Sequence, residues 1–216
     1  MTEMTIMTLA WQNYMNKFIV NGGKKLMGEV EIGGSKNATL PIICASLLTK
    51  DKVILENVPN IADVKSMISI IEKIGAKVKF KNHILEINSN GLHKKNIPND
   101  LVKKMRASIL ILGALLPRVG EVKMDFPGGC VLGKRSVFAH THAFEELGCK
   151  IIDDKKGLHI KVKKLVGKKF TLPELSVTAT ENALMAAVMA DGETDIRLAA
   201  QEPHVACLGN FLQALG

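Results

Sequence analysis

Apolar positions along the chain switch between helical spacing and strand-like runs, and the switch recurs in the same order three times. Small-residue helical patterns cover Ala38 to Leu48, Ala107 to Leu116 and Thr180 to Met189. Each leads through a turn into a short apolar strand: Val53 to Leu55, Val122 to Phe126 and Thr194 to Leu198. A second helix-like stretch then closes on Ile74-Gly75-Ala76, on Leu147-Gly148-Cys149 and on Leu215-Gly216. Glycine at that place ends a helix because it alone enters the left-handed region freely. The first two of these glycines are followed by paired strands, Val78 to Phe80 with Ile84 to Ile87, and Ile151-Ile152 with Leu158 to Val162. One more strand, Gly28 to Ile32, precedes the first helix.

A helix, a strand, a helix and two strands repeating about every 70 residues predict an α/β or α+β fold built from units that share one core. No unit is expected to fold alone. The third stops at Gly216 before its pair of strands, so the sequence is expected to be part of a longer architecture with its third repeat truncated. Residues 1–14 match no unit, and Met15-Asn16-Lys17-Phe18 reads as a second start, which predicts a disordered extension ahead of it.

Composition narrows the class. Of the 216 residues 47% are hydrophobic and 23% charged, with a mean hydropathy of +0.14, which is globular and not disordered. The longest apolar run, Ala107 to Leu116, is half the length of a membrane span. Without a basic-then-apolar leader, a cytoplasmic location is expected, with no membrane partner. Cys44, Cys130, Cys149 and Cys207 are far apart and lack the spacing of zinc ligands or of a disulfide framework. Cys44, Cys149 and Cys207 sit in apolar patterns and are expected to be small buried hydrophobes. The net charge of +8 favours anionic partners, but aromatic residues are 4% of the chain, and Trp11 and Tyr14 both lie near its start, so nucleic acid is not expected. Lys94, Lys95, Lys161, Lys163, Lys164, Lys168 and Lys169 fall beside turns and read as solvated surface.

Two loops can carry chemistry. Pro127-Gly128-Gly129-Cys130-Val131-Leu132-Gly133-Lys134-Arg135 follows a strand and offers exposed backbone N–H groups, a thiol and two cations. It reads G-x-x-x-x-G-K, but Arg135 stands where a phosphate-binding P-loop needs Ser or Thr to hold magnesium. Gly33-Gly34-Ser35-Lys36-Asn37 lies between a strand and a helix, where backbone donors, Lys36 and the Asn37 amide can meet an anion. Met105-Arg106-Ala107-Ser108 opens the matching helix of the second unit, which places Arg106 like Lys36. His140 and His142 flank Thr141 without a third ligand nearby, so no metal site is expected.

Together with Gln201-Glu202-Pro203, these motifs resemble the UDP-N-acetylglucosamine-dependent enolpyruvyl transferases from Met15 to Gly216. The resemblance implies an inside-out α/β barrel of three βαβαββ repeats. Residues 15–35 would be strands packing with a second domain absent from the sequence, and 36–216 the domain that carries the cysteine loop. It implies transfer of the enolpyruvyl group of phosphoenolpyruvate to the 3′-hydroxyl of UDP-N-acetylglucosamine with release of phosphate, an early step of cell-wall precursor synthesis that needs no cofactor. Cys130 would be the general acid and could form a covalent adduct. Lys36, Asn37 and Arg135 would clamp phosphoenolpyruvate, while Arg106, Arg135, Ser136, Val137, Phe138, Ala139, Glu174, Leu175, Ser176 and Val177 would face the nucleotide sugar. The alternative is a catalytically dead nucleotide-sugar-binding domain, or a half-enzyme that needs a partner chain or self-association. Four positions depart from the family pattern: Ser136 replaces Pro, Phe138 replaces an Asp expected at uridine, Thr178 replaces Gly, and Gln201 replaces Arg.

Overall fold

The computed structural model describes residue 19 and residues 21–93, 96–128, 136–154 and 157–216. Chain contacts divide it into a unit ending at Ile32 and a larger one, Gly33–Gly216. In the first unit residues 21–32 form neither helix nor strand, and Leu26, Met27, Val30 and Ile32 are exposed. The strand expected over Gly28 to Ile32 is therefore not formed. An extended segment becomes a strand when a neighbour takes its ladder hydrogen bonds, and this one is paired with none among the described residues.

In the larger unit α1 (Lys36–Ala45) begins two residues before its apolar pattern, because Ser35 caps it: the extended Ser35 accepts from the Ala38 amide at 3.4 Å. Then come β1 (Lys52–Leu55), α2 (Ala62–Lys73), β2 (Lys77–Lys81) and β3 (Ile84–Asn88). β3 is the centre of a sheet ordered β1-β3-β2, antiparallel to both neighbours, with Val53 and Val78 flanking Ile87 and with Leu55 and Phe80 flanking Leu85. Asn82 and His83, both at positive φ, make the two-residue turn between β2 and β3, a geometry whose twist suits a hairpin.

A four-residue helix α3 (Asn99–Val102) and a 3-10 turn (Arg106–Leu110) lead into α4 (Ile111–Val119), β4 (Glu121–Asp125), α5 (Phe138–Glu146), β5 (Lys150–Asp154) and β6 (Gly157–Lys161). This second sheet has the order β4-β6-β5, again with the last strand central and antiparallel to both others. β7 (Lys169–Thr171), α6 (Val177–Ala187), β8 (Asp195–Arg197) and α7 (Pro203–Ala214) complete the chain, β7 and β8 pairing in parallel. Gly75 and Gly148, at φ +115° and +90°, end α2 and α5. At Gly75 a Cβ would also meet the Gly91 carbonyl oxygen at 2.1 Å.

The core is helical at its centre. Residues Ile111 to Leu116 of α4 are all buried, as are Ile43, Cys44 and Ala45 of α1 and Ala179 to Ala183 of α6. α4 packs on α1 and α6, and α7 packs on the same two, closing a ring of four helices. The sheets cover this ring through residues such as Leu85, Ile87, Val122 and Ile160. Arg118 near the end of α4 reaches across to the Leu47 and Thr49 carbonyls and the Ser89 hydroxyl, where the cation meets the negative end of α1.

Cys44 and Cys149 are buried as expected, and burial pushes both thiols up, Cys149 to about 12. Cys207 is exposed, contrary to expectation. The buried stripe of α7 is Val205, Leu208 and Leu212, and Cys207 lies off it. Lys161, Lys164, Lys168 and Lys169 are solvated but not isolated, since they pair with Glu121, Asp191, Glu146 and Asp195. Lys94, Lys95 and residues 1–14 lie outside the described residues. No helix among the described residues is long and apolar enough to cross a membrane.

Candidate functional site

The structure brings together three stretches that are remote in sequence: the turn at Arg106, the start of α5 and the start of α6. Arg106 opens the 3-10 turn and donates through Nη2 to the Ser136 carbonyl at 2.7 Å. That turn packs on both α1 and α6, which sets the guanidinium beside the first residues of α5. Ser136 uses its hydroxyl to accept from the Phe138 amide at 2.9 Å, so its side chain is spent on starting the helix. Phe138 is exposed, with its ring 5.9 Å from that of His142, and Ala139 is buried. Val137 is packed against the core.

Behind this surface lies a buried polar chain. Asn182 of α6 donates from Nδ2 to the Ile109 carbonyl at 3.0 Å and to His140 Nδ1 at 2.9 Å, and its Oδ1 accepts from the Gly113 amide at 2.9 Å. His140 Nε2 is 3.2 Å from the Thr178 hydroxyl. Burial, and then the Arg106 cation, lower the His140 pKa to about 3, so its ring is neutral. Both His140 nitrogens are thus occupied by the protein, and His142 Nε2 lies 3.2 Å from the Thr171 carbonyl, which leaves this pair as structural contacts. Among the described residues no group of three or more His, Cys, Asp or Glu side chains has the geometry of a metal site.

The stretch 174–177 divides. Ser176 caps α6, accepting from the Ala179 amide at 3.4 Å, and Val177 begins the helix. Glu174 is exposed, and Leu175 turns toward a different hollow of about 570 Å³ walled by Ile196, Leu198, Ala199, Gln201 and Glu202. Lys36 is the first residue of α1 and pairs with Asp63 of α2 at 3.1 Å, both side chains remaining partly exposed. Asn37 follows it, exposed. Ser35, Ala38, Thr39 and Ile42 wall a hollow of about 650 Å³ on another face of α1, which Lys36 and Asn37 do not line. Cys130 and Arg135 lie outside the described residues.

Sequence reasoning overlooked Asn182 and weighed His140 only as a metal ligand. The available signal was a polar residue inside each of two apolar helical runs, where a buried amide or imidazole must find partners. Two carboxyls, one buried and one half-buried, were also unforeseen. Glu181 of α6 is buried, and among the described residues its Oε1 and the buried Glu202 Oε2 find no hydrogen-bond partner. Burial, and then the Glu202 charge, raise the Glu181 pKa to about 8.

Residues 20–216 match the family described as EPSP synthase (3-phosphoshikimate 1-carboxyvinyltransferase). A UDP-N-acetylglucosamine 1-carboxyvinyltransferase of Chlorobaculum parvum is 45% identical over 205 residues, covering 94% of this chain and 48% of the relative. One of the same name from Bradyrhizobium diazoefficiens is 46% identical over 201 residues, covering 93% and 46%. The chain spans about half the length of the curated relatives it matches. Among solved structures, the enolpyruvyl transferase NikO from Streptomyces tendae superposes with a TM-score of 0.74 at 19% identity, covering 90% of this chain and 46% of that one. EPSP synthase from Acinetobacter baumannii gives 0.66 at 18% identity, covering 83% and 42%. At such identities the likeness is one of fold.

Proposed function

The chain belongs to the EPSP synthase (3-phosphoshikimate 1-carboxyvinyltransferase) family, and from that premise we propose that it serves enolpyruvyl transfer from phosphoenolpyruvate to the 3′-hydroxyl of UDP-N-acetylglucosamine. The choice of acceptor rests on relatives that carry that name at 45% identity over nearly all of this chain. The reaction would supply a cell-wall precursor. The observation that carries the reading is the convergence of Arg106, residues 136–140 and residues 176–182, three stretches that share no sequence neighbourhood. There a guanidinium lies beside the first turn of α5, and that turn meets the first turn of α6 through His140 and Thr178; a cation and helix N-termini are the chemistry that a nucleotide diphosphate requires.

The chemistry is an addition followed by an elimination. The Cys130 thiol gives its proton to the methylene carbon of phosphoenolpyruvate, and C2, made electrophilic, forms a bond to the sugar oxygen as that hydroxyl loses its proton. The C2–O bond to phosphate then breaks, phosphate leaving with the bonding pair and, in the net reaction, with the proton lost by the hydroxyl, while the methyl carbon returns a proton to the Cys130 thiolate and the double bond is restored in the product. Lys36, Asn37 and Arg135 would hold the phosphate and carboxylate of phosphoenolpyruvate through both steps. Glu174, Leu175, Ser176 and Val177 would bound the nucleotide sugar together with Arg106 and residues 136–139.

For the architecture we infer an inside-out barrel of three βαβαββ units. Its support is that α1, α4 and α6 are each buried, that the two three-stranded sheets have one order, and that parallel pairing occurs at Asn96 with Lys123 and again at β7 with β8.

Phosphate release from phosphoenolpyruvate that depends on UDP-N-acetylglucosamine, and that is lost in Cys130→Ser, is the expected result. Release unchanged by that substitution rejects the thiol as acid. Calorimetry separates turnover from binding, and nucleotide-sugar binding without release is the outcome expected if the other half of the relatives' length supplies groups that the reaction needs.

A further inference from the structure

We propose that Thr178 is a positioning residue for the nucleotide-sugar subsite, acting through His140: its hydroxyl, the His140 ring and the Asn182 carboxamide form one directed chain that locks the first turn of α5 to the first turn of α6. The inference rests on the reading of residues 136–139 and 174–177 as the stretches that hold the nucleotide sugar.

The direction of the chain is fixed by its backbone end. The Gly113 N–H can only donate and the Ile109 carbonyl can only accept, so Asn182 Oδ1 faces the first and Nδ2 the second. The remaining Nδ2 hydrogen points at His140 Nδ1, which must accept and so carries no proton. In a neutral ring the hydrogen then sits on Nε2, and the group in front of it is the Thr178 hydroxyl oxygen at 3.2 Å. Burial and the neighbouring Arg106 cation both oppose protonation of the ring, which would turn Nδ1 into a second donor aimed at the Asn182 amide.

Each end of the chain is tied to a ligand-facing stretch. His140 follows Phe138 and Ala139 in the first turn of α5, and Thr178 follows Ser176 and Val177 at the start of α6. Arg106 is held to the same place by the Ser136 carbonyl. A glycine at 178 would leave the buried His140 Nε2–H without this acceptor. The threonine thus adds a link between the two helices at a point where they meet the ligand.

The test uses the 216-residue chain, with UDP-N-acetylglucosamine as probe in calorimetry. Thr178→Val keeps the branched shape and removes the oxygen, and is expected to weaken binding about five- to tenfold with an unchanged circular dichroism spectrum. Thr178→Ser, which restores the oxygen, is expected to recover wild-type affinity, a rescue that packing alone would not give. Nitrogen-15 spectra of the His140 ring should show an unprotonated Nδ1 in the wild type and a perturbed Nε2 in Thr178→Val. Equal affinity of the wild type and Thr178→Val, or a protonated Nδ1 in the wild type, overturns the inference while leaving the nucleotide-sugar reading in place. Absence of binding by the wild type overturns both.

Discussion

Glu181 and Asn182 are neighbours on α6, both buried, yet Asn182 has every side-chain polar atom engaged while Glu181 has an oxygen with no partner among the described residues. The difference sets how stability responds to pH. With its folded pKa raised to about 8 against 4.5 for the free side chain, Glu181 keeps its proton in the native state where the unfolded chain has lost it. Its contribution is complete below about pH 4.5 and declines through pH 8, at a limiting slope of about 1.4 kcal/mol per pH unit. His140 works the other way: lowered to about 3 from 6.5, it costs stability as pH falls through that interval, because the unfolded chain takes up a proton the native state refuses. Between about pH 4.5 and 6.5 the two oppose each other, and above 6.5 the carboxyl acts alone. Glu181→Gln should therefore abolish the loss of stability from pH 6.5 to 8 in urea titrations; a variant whose pH profile parallels the wild type would contradict this. The perturbed titration of these two groups was illegible in the sequence, because a polar residue in an apolar helical run signals burial without naming the neighbours, Glu202 and Arg106, that shift it. Cys207 was misjudged for a different reason, lying two residues beyond the buried Val205 but off the stripe.

The helices themselves were legible from spacing, and their ends were not. The run from Ala107 to Leu116 reads as one helix, but its first turn is 3-10, because the Ser108 hydroxyl bonds back to the Val102 and Met105 carbonyls and holds that turn tight. Arg106 owes its place beside α5 to that turn. Between α4 and α6 the contact is set by one missing methyl group. A Cβ at Gly113 would lie 2.7 Å from the Asn182 carbonyl oxygen and 2.9 Å from its Cα, and both belong to backbone that cannot swing aside. Gly113→Ala should destabilise the protein by about 1–3 kcal/mol although alanine is the better helix former, since overpacking outweighs propensity here. A variant as stable as the wild type in urea would show that α4 and α6 separate without cost.

At the scale of the molecule, the order of helices and strands could be read from periodicity and from glycines at helix ends, whereas the strand at 28–32 could not be judged, because pairing depends on a neighbour that the local pattern does not specify. Of the expected site, Arg106 meets the start of α5 and that turn meets the start of α6, Lys36 pairs with Asp63 at the start of α1, and Cys130 and Arg135 fall outside the described residues. Each three-stranded sheet is wound from one unbroken stretch, 52–88 or 121–161, and its central strand comes last. The Asn182 junction instead joins Gly113 to a side chain 69 residues away. Loops that close locally lose less entropy, so in refolding the amides of Leu85, Ile87, Leu158 and Ile160 should gain protection from hydrogen exchange before the amide of Gly113. Simultaneous protection would argue for a single concerted collapse. During synthesis the same layout means that each sheet can close as soon as its final strand leaves the ribosome. The amide of Gly113, by contrast, waits nearly seventy residues for the side chain that completes the helical centre.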